Sequence, residues 1–153
     1  MIDPRGPRFV AALTTIVLAV VLLTGSVWLL AAQAVVFAVG AFAGPQRSPY
    51  AEVYRHLVRP RLAPPAELES AAPPRFAQGV GLGFAVVGTI ALAVGASTVG
   101  LVAVGLALAA AFLNAAFGFC LGCEVYLVGR RLLGARRSTA VRSRAAITEE
   151  VAA

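Results

Sequence analysis

Two cysteines three residues apart, Cys120 and Cys123, are the only thiols in a chain of 153 residues. They stand in NAAFGFCLGCEVYLVGRR, residues 114–131, where an apolar run gives way to arginine. A pair at this spacing can cycle between dithiol and disulfide, the chemistry of thioredoxin-type C-x-x-C motifs. It can also bind a soft metal, or serve as two small apolar side chains, a common use of buried cysteine. On a helix continuing from 112 to 128, at about 100° per residue, Cys120 and Cys123 lie about 60° apart and share one face. Glu124, four residues after Cys120, shares that face, so the local set is two thiols and a carboxylate able to accept a proton. In thioredoxin-type proteins the pair opens a helix, whose N-terminus favours thiolate. A helix running through the pair places it near a C-terminus instead. The dipole there is negative, and Glu124 adds charge of the same sign. Arg130 and Arg131 lie two to three turns further on, and Gly118 and Gly122 are the residues able to loosen this helix and change the outcome.

A metal reading draws in His56, the only histidine, to give Cys120, Cys123 and His56 as a weak ligand set. Structural zinc sites want a second C-x-x-C or a histidine pair. The sequence has neither, so no metal and no other cofactor is expected, and His56 reads more simply as a polar residue on a solvated face.

The elements that must position the pair follow from composition. The chain is 59% hydrophobic and 13% charged, whereas soluble domains carry about 25% charged residues. That excludes a soluble globular domain and makes the lipid bilayer the first partner. Two apolar blocks, roughly 9–43 and 76–128, are read against the roughly 20 residues one helical crossing requires. They divide into four spans, about 8–25, 27–43, 76–95 and 99–128. Arginine clusters at Arg5 and Arg8, in the loop 44–75, and in a basic tail 131–153 that includes Arg136, Arg137, Arg142 and Arg144. The short turns TGS (24–26) and GAST (95–98) carry no charge. The positive-inside rule then puts both termini and the central loop in the cytoplasm, which requires an even number of spans in a bacterial inner membrane. Arginines spread over three juxtamembrane segments are explained by orientation and anionic lipid, so no nucleic-acid partner is expected. The tail reads as disordered.

The two halves rhyme. Pro-Arg-Phe opens the first apolar block at 7–9 and the second at 74–76, and Glu-Val-Tyr closes each half at 52–54 and 124–126. Two units that each enter and leave on one side are parallel repeats about an axis along the membrane normal. The fold class expected is therefore all-α integral membrane, four transmembrane helices as two parallel two-helix repeats. Gly79 and Gly83 form a small-x-x-x-small step suited to close helix approach. In the central loop, Tyr50, Val53, Tyr54, Leu57 and Val58 recur at helical spacing among arginines, predicting a short interfacial helix. PRLAPPAELESAAPP (60–74) reads as a linker.

Arg8-Phe9 entering the first span, Arg-Phe-Ala-Gln (75–78) entering the third and FGFCLGCEVY (117–126) closing the fourth resemble the small bacterial membrane family called domain of unknown function 4395. The likeness covers roughly residues 3–130, and its most specific motif is Phe119, Cys120, Gly122, Cys123 and Tyr126. The resemblance implies a multi-span membrane domain of no settled activity, often encoded near thioredoxin-like and sulfurtransferase proteins. The expected function is thiol redox or sulfur transfer through a cytoplasmic-edge C-x-x-C with such a soluble partner. Cys123 is expected to be the more exposed thiol, Cys120 the resolving one and Glu124 a proton acceptor. The alternatives are a small carrier or channel subunit for a sulfur compound, which would need a homo-oligomer to enclose a pore, and a membrane scaffold with structural cysteines. Whether the protein is an enzyme stays open.

Overall fold

The computed structural model describes residues 2–65 and 67–133. Four long helices form a bundle: α1 (Arg5–Thr24), α2 (Val27–Phe42), α4 (Ala72–Ala93) and α5 (Ser97–Phe117). A short α3 (Pro49–Val53) lies in the central loop, and α6, residues 121–133, follows α5. Apolar chain in a bilayer takes this form because a helix satisfies its own backbone groups where water cannot.

The helix ends are written locally. Pro7 sits in the first turn of α1 and Pro73 and Pro74 in that of α4, where a missing N–H goes unfelt. Gly25 ends α1 in the left-handed region at φ 65°, a conformation glycine adopts without Cβ strain. Ser26 then caps α2, its hydroxyl accepting from the Leu29 N–H at 3.3 Å. The α4–α5 turn reverses at Gly95, φ 83°. These are the uncharged turns the sequence marked.

Helix α1 packs on α5, α2 on α4, and α4 on α5, with only light contact between α1 and α2. The core holds Leu18, Val21, Leu30, Phe37, Ala85, Val104 and Ala107. Glycine lets backbones approach where a Cβ would collide: at Gly81 it would lie 2.8 Å from the Phe37 ring, and at Gly100 2.6 Å from Leu92 Cγ. The Gly79–Gly83 step does not serve this purpose, because a Cβ at either position meets nothing within 4 Å. The contacts of α4 fall instead on Gly81 and Gly88, the side turned to α2 and α5. Outward positions are apolar, with Leu23 at 87% and Trp28 at 86% exposure, which suits lipid rather than water.

Three helices, α1, α4 and α5, are long and apolar enough to cross a membrane. The second predicted crossing is apolar too, but α2 has 16 residues, about 24 Å of helix. The last departs further from expectation: α5 stops at Phe117 rather than running to 128, and a separate helix takes over at 121.

The helix expected in the central loop is present as α3, a single π turn (Tyr54–Val58) and a 3-10 turn (Arg59–Arg61). Tyr54 is buried against Phe9 of α1, while Val53 and Leu57 stay exposed. Tyr50 donates its hydroxyl to the side-chain oxygen Oε1 of Gln33 on α2 at 2.7 Å, which pins the segment to the bundle. The linker folds back as well, Ile2 and Glu69 exchanging backbone hydrogen bonds of 2.8 and 2.9 Å. The tail arginines Arg136, Arg137, Arg142 and Arg144 lie outside the described residues.

If Gly100 is a packing contact, Gly100→Ala destabilises the bundle by about 1–3 kcal/mol through overpacking. Gly105→Ala, where a Cβ meets nothing within 4 Å, leaves stability equal or slightly raised. Unfolding in mixed detergent micelles, followed by circular dichroism, separates the two.

Candidate functional site

The pair owes its position to a break in the helix that carries it. Gly118 takes φ 70°, in the left-handed region, and caps α5 through an N–H bond to the Asn114 carbonyl at 3.0 Å. Arg8, from the start of α1, reaches across the bundle and donates to the carbonyls of Ala115 and Ala116, both at 3.4 Å. A cation there meets the negative end of the helix dipole and carbonyls left without an amide partner. Residues 118–120 are non-helical, and α6 starts immediately after Cys120.

Cys120 is thus the N-cap of α6. Its sulfur accepts the Cys123 backbone N–H at 3.3 Å, and its carbonyl accepts the Glu124 N–H at 3.0 Å. A side-chain acceptor at the N-cap bonding the third helical amide is the usual cap geometry, with sulfur in place of oxygen. The expected placement near a helix C-terminus is corrected: the pair opens a helix. Gly118 supplies the turn, and Arg8 meets the carbonyls that would otherwise call for another helical turn. Cys120 and Cys123 are joined as a disulfide with Cα atoms 5.2 Å apart, inside the range such bonds require. Both cysteines are half-buried. Gly122 between them presses on α4, where a Cβ would fall 2.7 Å from Ala77 Cα. Tyr126, one turn on, meets Phe76 with ring centroids 5.7 Å apart at 45°.

The first half repeats this geometry without sulfur. Arg75, at the start of α4, donates to the carbonyls of Ala41 and Phe42 at the end of α2, at 2.6 and 2.8 Å. Phe9 meets Tyr54 at 5.6 Å and 45°. Ser48 stands before α3 as Cys120 stands before α6, its carbonyl accepting the Glu52 N–H at 3.0 Å. Ala51 takes the place of Cys123. The two Pro-Arg-Phe arginines were legible only as a rhyme; their reach to the opposite half was not.

A family model described as Domain of unknown function (DUF4395) matches residues 2–131. The chain belongs to this family. Neither curated proteins nor solved structures give a match. The family match spans both halves, the two arginine clasps and the cysteine pair of this DUF4395 chain, and leaves out the tail.

The remaining candidates disperse. Glu124 is exposed in the first turn of α6. His56 lies in the other half, its Nε2 3.4 Å from Glu52. Among the described residues no group of three histidine, cysteine or acidic side chains is arranged to hold a metal, so His56 is not brought to the cysteines. Tyr54, beside α1, donates its hydroxyl to Asp3 at 3.0 Å. Burial first, and then that hydrogen bond and the Asp3 charge, push its hydroxyl above the ordinary 10.0, with Arg5 and Arg59 opposing.

Two outcomes check this geometry. Gly118→Ala forces a left-handed alanine, at about 1–2 kcal/mol, and slows re-formation of the disulfide after reduction, followed by thiol titration. Tyr54 ionises later than a free tyrosine, so the stability it contributes is complete below 10.0 and is lost as pH rises through its higher folded value. Asp3→Asn lowers that value, read from tyrosinate absorbance with Tyr54→Phe as the subtraction.

Proposed function

We propose that this chain is a four-span inner-membrane protein that exchanges electrons between Cys120–Cys123 and a soluble thioredoxin-like partner in the cytoplasm. The observation that carries the reading is the N-cap position of Cys120, with its sulfur bonded by the Cys123 amide. After reduction, that amide and the positive end of the α6 dipole both favour thiolate over thiol at Cys120. Cys120 is therefore the exchanging sulfur and Cys123 the resolving one, the reverse of what a continuous helix implied.

The exchange balances as follows. A thiolate of a partner dithiol attacks the Cys120 sulfur, forming a mixed disulfide and releasing Cys123 as thiolate. The partner's second thiolate attacks the mixed disulfide, leaving Cys120 as thiolate and the partner oxidised. Two electrons pass to the pair, and the two protons lost by the partner thiols go to the released cysteines or to solvent. In this scheme Glu124, exposed in the first turn of α6, relays them. Half-burial of both cysteines, with exposed Phe119 and Leu121 flanking Cys120, suits a protein partner that covers an apolar margin.

Orientation rests on charge. The arginine clasps put the N-terminus, the central loop and α6 at one end of the bundle, and every arginine of the described residues belongs to those segments. The end formed by the Gly25 and Gly95 turns carries none. Positive-inside bias then turns the cysteines to the cytoplasm. Helix α2 crosses as the fourth span with local thinning of the bilayer, a modest penalty for a short helix. The reciprocal clasps and matched Phe–Tyr contacts support two parallel repeats. A carrier would need the axis between those repeats, which Leu30, Phe37, Ala85 and Val104 fill.

Reduced inverted vesicles take up a membrane-impermeant maleimide on the cysteines, and right-side-out vesicles do not. Cys123→Ser displaces thionitrobenzoate from a single-cysteine thioredoxin that carries it as a mixed disulfide and is trapped on that thioredoxin, whereas Cys120→Ser traps at least tenfold less. Labelling from the outer face, or equal trapping by both variants, refutes the assignment.

A further inference from the structure

A cavity of about 510 Å³ opens at the arginine-bearing end, between the start of α1, the segment 45–59 and the start of α4. Most of its lining comes from the sulfur-free half. Its walls carry Arg47, Arg55 and Arg59 against a single acid, Asp3. Asp3 is already engaged, its carboxylate accepting from the Tyr54 hydroxyl and the Arg5 N–H, each at 3.0 Å. Arg55 is bonded to Glu52, while Arg47 and Arg59 form no ion pair among the described residues. Two arginines without a counter-ion among the described residues thus share one cavity wall with a third. The guanidinium fork matches the oxygens of phosphate-type anions, and basic pockets beside membrane helices recognise anionic headgroups. The volume falls within the range of small-molecule sites, about 300–1,000 Å³, which leaves room for an ester substituent on the anion. Val10 of α1 and Pro74 of α4 supply an apolar wall for that substituent.

We propose that this cavity binds a tetrahedral oxyanion, with Arg47 and Arg59 as its principal ligands and Arg55 as a third. The anion has two sources, the phosphodiester of an anionic phospholipid or a free oxyanion of the cytoplasm. The proposal goes beyond electron exchange and does not use the cysteines, so Cys120→Ser with Cys123→Ser keeps the binding even if the exchange reading fails.

The full chain in neutral detergent is examined by native mass spectrometry with phosphatidylglycerol and phosphatidylcholine. It is also examined by thermal shift with inorganic phosphate and with thiosulfate at constant ionic strength. One phosphatidylglycerol per chain is retained at least fivefold over phosphatidylcholine if the lipid is the source. A saturable thermal shift with phosphate or thiosulfate and no lipid preference assigns the free anion, and the site stands. Arg47→Gln with Arg59→Gln lowers binding at least tenfold, and Arg130→Gln with Arg131→Gln, the same charge removed outside the cavity, does not. Should the double variant not fold, Ala51→Glu places a carboxylate on the cavity wall and abolishes binding. The proposal is overturned if no probe binds saturably, if the two charge-removal pairs lose binding equally, or if Ala51→Glu binds as the unaltered chain does.

Discussion

A helix end leaves its last carbonyls without amide partners, and a cation set beside them meets both those carbonyls and the negative end of the dipole. Here each of two helix ends meets an arginine from the opposite half: Arg8 at the end of α5 and Arg75 at the end of α2. Each arginine stands in the first turn of its own helix, so each clasp also fixes two antiparallel helices at their shared end. Once Arg8 has met the carbonyls of Ala115 and Ala116, α5 can stop, Gly118 can turn, and a new helix can begin on Cys120. The chemistry proposed for the sulfurs depends on that stop, since the same two cysteines inside an unbroken helix would face the wrong end of its dipole.

The halves share this device and differ in what they attach to it. Between α2 and α3 the chain spends residues 43–48, including a 3-10 turn, and ends on a fully buried Ser48. Between α5 and α6 it spends only 118–120 and ends on a half-buried Cys120. The longer connection folds inward and helps form the arginine-lined cavity, whereas the shorter one holds its cysteines at the margin. One scaffold motif thus serves a half-buried sulfur pair in one half and a charged recess in the other.

Packing explains why small residues dominate the second half. Lipid offers no hydrophobic drive between helices, so close backbone approach and fitted side chains hold them together. Phe37 lies over Gly81, Leu30 meets Gly88, and Leu92 meets Gly100. Gly122 extends the same principle to α6, bringing the cysteine turn onto Ala77 of α4. Polar anchoring does the corresponding work for the central loop, where Tyr50 reaches the buried Gln33.

Composition and charge alone determined that this is an apolar helical chain with its arginine gathered in a few segments, because hydropathy and helix-end signals act within one stretch of sequence. The family was equally legible, since Phe119, Cys120, Gly122, Cys123 and Tyr126 are a contiguous motif. Helical spacing over 50–58 found the loop helix, and the uncharged stretches TGS and GAST marked the turns at Gly25 and Gly95, for the same reason. Where α5 stops could not be read this way. An apolar run through Phe117, Gly118 and Phe119 is compatible with a continuing helix, and what favours a stop is a guanidinium over a hundred positions earlier in the chain. Likewise the close contacts fell on Gly81 and Gly88 rather than on Gly79 and Gly83, because which side of α4 meets its neighbours is set by how four helices cross. Tertiary structure decided the direction of the dipole at the sulfurs, since that depends on contacts between segments remote in sequence.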